Sequence, residues 1–166
     1  MKIGLVSDSH GSSGDLDLML AQSAARDVKI WLFAGDVALD AEYLDMVTPP
    51  EVEVIKVAGN NDWPGTSLPD YETLDVAGHT ILLTHGHIFG VNYGRQKLAM
   101  AAHDVGADIA VYGHTHVAEN VEINGITVLN PGSVARPRDA REGSFMVMEL
   151  QPEQKPAVKL IRLKNL

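Results

Sequence analysis

Cysteine does not occur anywhere in the 166 residues. Its absence excludes disulfides, a thiolate nucleophile and any Cys-ligated zinc. Long apolar runs are missing too: no stretch approaches the ~20 residues a membrane span needs. The opening MKIGLVSDSHG has an apolar run that is short and broken at once by charge, unlike a signal peptide. A cytoplasmic protein without a membrane partner is therefore expected. Basic runs are also lacking. Lys and Arg number 13 against 22 Asp and Glu, a net charge of -9. Such a surface repels long nucleic acid. It serves solubility, and it still admits a small phosphate ester, because bound divalent cations reverse the sign locally.

What is present is 45% hydrophobic content in a chain of domain size. That is enough to bury about two-thirds of the unfolded surface, so a single domain over residues 1–166 without linker or repeat is expected. A buried strand is predicted from Ile3 to Ser7. A helix follows, with Leu16, Met19, Leu20, Ser23 and Ala24 at helical spacing. Strand Ile30 to Ala34, helix Ala38 to Val47 before Pro49 and Pro50, and strand Val52 to Ala58 come next. This alternation predicts a parallel α/β sheet. The rhythm then changes. Tyr71 to Val76 and His79 to Thr84 read as a hairpin around Ala77-Gly78 or as adjacent strands. Tyr93 to Val105 reads as a helix with Leu98, Ala101, Ala102 and Val105 on one face, stopped by Gly106. Ile109 to Tyr112, the pair Glu119 to Ile123 and Ile126 to Leu129 around Asn124-Gly125, and the pair Phe145 to Leu150 and Val158 to Leu163 complete a mixed arrangement with helices outside.

The residues able to ligate metal stand at the ends of predicted strands. They are Asp8-Ser9-His10-Gly11, Gly35-Asp36, Gly59-Asn60-Asn61-Asp62, His85-Gly86-His87 and Gly113-His114-Thr115-His116. Ligand sites of open α/β sheets gather where strands end. Glycine beside each ligand lets the backbone turn and the loops crowd together. In an extended segment residues two apart point the same way, so Asp8 with His10, and His114 with His116, are expected to reach one ion or two adjacent ions. Oxygen and imidazole donors without sulfur suit manganese, iron, zinc, cobalt or nickel, whereas an all-oxygen site favours magnesium or calcium. Each motif alone is an ordinary turn or surface pair. Five of them at five strand ends point to a metal site.

Asp8-x-His10, Gly35-Asp36, Gly59-Asn60-x-Asp62, His85 and Gly113-His114-x-His116 resemble, in order, the five motifs of the calcineurin-like metallophosphoesterases. Asn130-Pro131-Gly132-Ser133 is similar to a segment of that superfamily's small YfcE-like phosphodiesterase branch. The likeness covers nearly the whole chain. It implies a four-layer α-β-β-α sandwich and two divalent ions, manganese first, with iron, nickel, cobalt or zinc also accepted. It implies Asp8, His10, Asp36 and His116 around the first ion and Asp36, Asn60, His85 and His114 around the second, bridged by Asp36. Two ions ~3.5–4 Å apart clamp a phosphoryl group and acidify a bridging water or hydroxide that attacks it. The expected activity is hydrolysis of small phosphodiesters.

One position departs from the family pattern. Many members carry His after Gly-Asn, where it assists the leaving group; here the residue is Asn61, which cannot donate a proton at neutral pH. His87 is the candidate for that role or for a place behind the ligands. Asn61, Arg136 and Arg138 are candidates for substrate contact, the two arginines because the guanidinium fork matches phosphate oxygens. Asp62 is expected to buttress its loop, and His79 and His103 carry no assigned role. Two rivals remain at this stage. One is a non-catalytic scaffold resembling the small retromer subunit; the other is a nuclease, which the acidic charge disfavours. Natural substrate, resident metal and oligomeric state, a homo-oligomer included, are open.

Overall fold

Strands buried on both faces read as unbroken apolar runs, and the first two strands of the chain show why. A computed structural model of the protein describes residues 1–62 and 66–166. In it β1 (Lys2–Val6) and β2 (Ile30–Phe33) lie side by side in parallel. Ile3, Leu5 and Leu32 point to one face; Val6, Trp31 and Phe33 point to the other. A parallel β3 (Glu53–Lys56) extends this sheet on one side. Antiparallel β9 (Ser144–Glu149) and β10 (Ala157–Arg162) extend it on the other, giving the order β10-β9-β1-β2-β3.

A second sheet has the order β4-β5-β6-β8-β7, from β4 (Tyr71–Val76), β5 (His79–Thr84), β6 (Ile109–Val111), β7 (Glu119–Ile123) and β8 (Ile126–Asn130). Its hairpins turn at Ala77-Gly78 and Asn124-Gly125. Both residues of each turn have positive φ (49 and 81, 50 and 82), the geometry that two-residue hairpins favour.

Apolar side chains form three clusters between four layers of structure. Ile3, Leu5 and Leu32 meet Ile81, Ile109 and Leu129 between the two sheets. Leu16 and Met19 of α1 (Ser13–Ala21) and Leu44 of α2 (Ala38–Val47) cover the outside of the first sheet. Leu98 and Ala102 of α3 (Gln96–Asp104) cover the second. The result is the expected α-β-β-α sandwich.

Several boundaries differ from the sequence expectation. The helix expected from Tyr93 begins at Gln96, and Val105, expected on its buried face, is 45% exposed. Gly106, at φ 75, ends the helix: its N–H donates to the His103 carbonyl and that of Ala107 to the Ala102 carbonyl. This paired return turns Val105 away from the core. The third strand spans only Glu53–Lys56 of the expected Val52 to Ala58, because the chain leaves the ladder to build a loop around Asn60. Among the described residues no helix is long and apolar enough to cross a membrane.

Candidate metal centre

Strands β1, β2, β3, β5 and β6 all deliver a polar residue to one end of the sandwich. The convergence does not come from strand alternation, as the x-y-x spacing had led us to expect. Asp8, His10, Asp36, His114 and His116 have φ of 57, 47, 60, 69 and 60, the left-handed region that side-chain-bearing residues seldom occupy. Each chain therefore kinks at its ligand instead of running straight through it. Backbone strain of this kind persists only where the surroundings over-determine it, and it clusters at functional sites.

The side chains meet in two overlapping groups. Asp8 Oδ1 lies 3.3 Å from His116 Nε2 and 3.8 Å from His10 Nε2. The same oxygen is 3.8 Å from His85 Nε2, so Asp8 also faces the second group, beyond the single role the resemblance implies for it. Asp36 spans both groups: Oδ1 is 3.5 Å from His85 Nε2, and Oδ2 is 4.0 Å from His10 Nε2. Asn60 Oδ1 is 3.0 Å from His85 Nε2 and 3.0 Å from His114 Nδ1. All seven residues expected to hold metal are brought together.

Surrounding groups aim these donors. Ser7 Oγ and the His114 N–H donate to Asp8 Oδ2 at 2.7 and 3.0 Å, leaving Oδ1 free. His85 Nδ1 donates to the Ala34 carbonyl, and His116 Nδ1 to the Arg136 carbonyl, each at 2.7 Å. Both rings are thereby fixed with Nε2 as the open lone pair. Asn61 donates to Asp36 twice, from its N–H (3.1 Å) and from its side-chain amide (2.7 Å). Asp62 accepts from the N–H groups of Gly59 and Ala38, both at 2.7 Å, and so buttresses the loop and the start of α2 as expected.

A cation fits this donor set. Asp8 is fully buried, and its Oδ1 has no hydrogen-bond partner among the described residues. An anionic oxygen withdrawn from water and left bare is costly without a compensating charge. His10 Nε2 and His116 Nε2 face each other at 3.0 Å, two ring nitrogens aimed at one point. The oxygen and imidazole chemistry suits a first-row divalent ion.

The titration of the rings follows their surroundings. Burial holds His10 below its ordinary 6.5 against the pull of Asp8. Burial and the neighbouring His85 do the same to His114. His116 is raised, because the Asp8 carboxylate outweighs its burial. Burial pushes Asp8 upward, yet the His116 and His85 rings and the Ser7 hydroxyl bring it net below its usual range.

A cleft of about 410 Å³ opens over the centre, lined by His10, Asp36, Asn60, Asn61, His114 and His116, with Asn92, Arg136 and Arg138 around them. His87 does not line it. Its ring stands behind the second group, 5.5 Å from His85 and 6.1 Å from His114, and burial with the nearby His85 lowers its pKa. Asn92 was missed from the sequence. It lies in the stretch before α3, and its side-chain amide is 3.0 Å from His114 Nε2. No spacing relates Asn92 to the ligand motifs, so only the folded chain reveals it. His79 does have a partner, far from the centre: Nδ1 meets Asp108 at 2.6 Å and Nε2 the Gln151 carbonyl at 2.9 Å.

A helix-covered double sheet with a carboxylate–imidazole centre at the strand ends is the architecture of the metallophosphoesterase class. The chain belongs to the calcineurin-like phosphoesterase superfamily, whose domain profile matches residues 1–153. It is 32% identical over 166 residues to a probable metallophosphoesterase of Methanocaldococcus jannaschii, covering 99% of this chain and 83% of that one. It is 30% identical over 152 residues to the probable metallophosphoesterase YsnB of Bacillus subtilis, covering 91% and 85%. Phosphodiesterase YfcE of Escherichia coli is 26% identical over 170 residues, with 90% and 88% covered. Among solved structures, a predicted phosphoesterase from Streptococcus pneumoniae superposes with a TM-score of 0.78 at 28% identity, over 97% of this chain and 88% of that one. Vps29 of Entamoeba histolytica complexed with zinc shares the fold, at a TM-score of 0.73 and 23% identity, over 99% and 100%.

Proposed function

We propose that the protein is a dinuclear metal-dependent phosphodiesterase acting on small phosphodiesters, with manganese as the preferred ion. The observation that carries this is the bare, buried Oδ1 of Asp8 set among three imidazoles, with Asp36 reaching both halves of the centre. Asp8, His10, Asp36 and His116 would hold one ion, and Asp36, Asn60, His85 and His114 the other. Two bound divalent cations supply the positive charge that polarises the phosphoryl oxygens and acidifies the attacking water.

The chain's own residues do the rest. Asn61 holds the Asp36 carboxylate by two hydrogen bonds and so keeps its two oxygens turned to opposite halves. The carbonyls of Ala34 and Arg136 keep the His85 and His116 rings in the tautomer that presents Nε2. Protonation of the leaving group is poorly served. Asn61 has no acidic proton, and His87 stands off the cleft with a lowered pKa, hence neutral at pH 7. General acid assistance is typically worth about 10²–10⁴-fold. The enzyme should therefore favour aryl esters, whose leaving groups need no proton, over alkyl esters. The activity of the YfcE relative supports the diester assignment. A purely scaffolding role leaves the desolvated carboxylate without purpose, since binding a partner needs no such group.

The test is hydrolysis of bis(p-nitrophenyl) phosphate by purified protein with manganese, with and without chelator. Turnover that needs manganese and stops on chelation is expected. No turnover with any divalent ion would remove the assignment.

A further inference from the structure

We propose that Arg136 and Arg138 form an oxyanion subsite beside the metal centre, so that the preferred substrates carry a second anionic group, phosphate or carboxylate, on the ester arm beyond the reacting phosphorus. This rests on the phosphodiesterase function proposed above and narrows its substrate class.

The segment is anchored to the centre at several points. Leaving β8, the chain bends so that Ser133 Oγ donates to the Asp8 carbonyl at 2.7 Å and accepts from the Arg136 N–H at 2.7 Å. His116 Nδ1 donates to the Arg136 carbonyl, and the Arg138 N–H donates to the His116 carbonyl at 3.0 Å. The backbone at both arginines is thus tied to a metal-facing histidine. Between them stands Pro137. Both arginines line the cleft.

Among the described residues neither guanidinium is engaged elsewhere. In this chain Asp and Glu outnumber Lys and Arg 22 to 13. Arg95, Arg162, Lys56 and Lys155 have found Glu119, Asp139, Asp45 and Glu122. Arg136 and Arg138 make no such pair among the described residues.

The stoichiometry of a diester then decides what they bind. A phosphodiester has two non-bridging oxygens and one negative charge, and the centre itself is built to receive these. Two guanidinium forks, each suited to a bidentate oxyanion, exceed that need. Apart from the metal-facing residues and the two arginines, the described lining of the cleft is the neutral amides of Asn61 and Asn92. The cationic groups of the lining therefore stand on the segment tied to His116, where a charged arm would lie.

Three diesters with one leaving group test this: p-nitrophenyl ethyl phosphate and its 2-carboxyethyl and 2-phosphonoethyl analogues. With manganese, kcat/KM should be about tenfold higher for at least one charged arm than for the ethyl arm, the gain of one charge-assisted pair. The better of the two arms identifies the group. In the Arg136→Ala/Arg138→Ala and Arg136→Gln/Arg138→Gln variants that ratio should fall to near one. A second readout needs no catalysis. Chelator-treated protein at low salt should bind 2-phosphonoethyl phosphate more tightly than ethyl phosphate, and the variants should not. A ratio near one in the native protein by both readouts, or a ratio unchanged in both variants, overturns the subsite. Failure to hydrolyse any of the three diesters counts against the phosphodiesterase assignment instead, and the metal-free binding then decides the subsite alone.

Discussion

The Cα of Gly59 lies against the carboxylate of Asp36, so closely that a methyl built on it would overlap Oδ1 and stand 2.6 Å from the Asp36 backbone nitrogen. The glycine is there because the carboxylate spanning both halves of the centre occupies the space of its side chain. Gly113 stands in the same relation to Asp8, whose Oδ2 would be 2.7 Å from an added methyl, and Gly35 to His85, at 2.8 Å from Nδ1.

Gly59→Ala should therefore displace Asp36 and not merely stiffen a loop. Misplacing a catalytic group by about 1 Å costs on the order of 10²-fold in rate, and that loss is expected in kcat/KM. Overpacking should cost about 1–3 kcal/mol of stability. Manganese titration calorimetry and nitrophenyl ester kinetics on the same preparation check both. Native affinity and turnover would show that Asp36 does not need its position.

Removing the amide of Asn92 should weaken one ion more than the other. The bond to His114 Nε2 orients that ring, and loss of such a support typically costs about 10–100-fold in metal affinity. Asn92→Ala should leave two-step manganese binding with only the weaker step shifted. Two unshifted steps would make Asn92 a bystander of the cleft.

Metal uptake should be steeply pH-dependent. The imidazoles bind a cation only when unprotonated, so protons compete with the ion. His10 and His114, held below 6.5, stay open to the ion through neutral pH; His116, raised above 6.5, keeps its proton longest. Affinity should be full near pH 8, decline first through the His116 proton as pH falls, and be lost well below pH 6.5. Calorimetry across that range should also detect proton release on binding. An affinity flat from pH 8 to pH 5 would contradict the imidazole ligation.

His79 predicts a separate pH effect on stability. Burial lowers its pKa, but the Asp108 carboxylate and the Gln151 carbonyl outweigh this and leave it raised. Its protonated form is the one that holds both partners in the fold. The contribution is therefore complete below about 6.5, the unfolded value, and is lost as pH rises through the higher folded value. Metal-free protein should lose Tm above pH 6.5 along this branch, and His79→Gln should flatten it. The same slope in the variant would assign the effect to other groups.

The ligands were legible in the chain because each sits beside glycine at the end of an apolar run, and both signals are local. Ala38–Val47 and the Tyr71–Thr84 hairpin were legible for the same reason, through flanking prolines and the Ala77-Gly78 turn. How the ligands converge was not. Asp8 and His10 look like alternate residues of a strand, yet both adopt positive φ, a choice imposed by tertiary hydrogen bonds such as that from the Asp8 N–H to the Gly35 carbonyl. Asn92 and His79 were illegible because their partners, His114 and Asp108, lie 22 and 29 positions away with no motif joining them.

The most direct test of the dinuclear centre is an anomalous difference map from crystals grown with manganese. Two peaks ~3.5–4 Å apart, on either side of the Asp36 carboxylate and each touching imidazole nitrogen, are predicted. A map with no peak there, or a single peak that leaves Asn60, His85 and His114 without an ion, would contradict it.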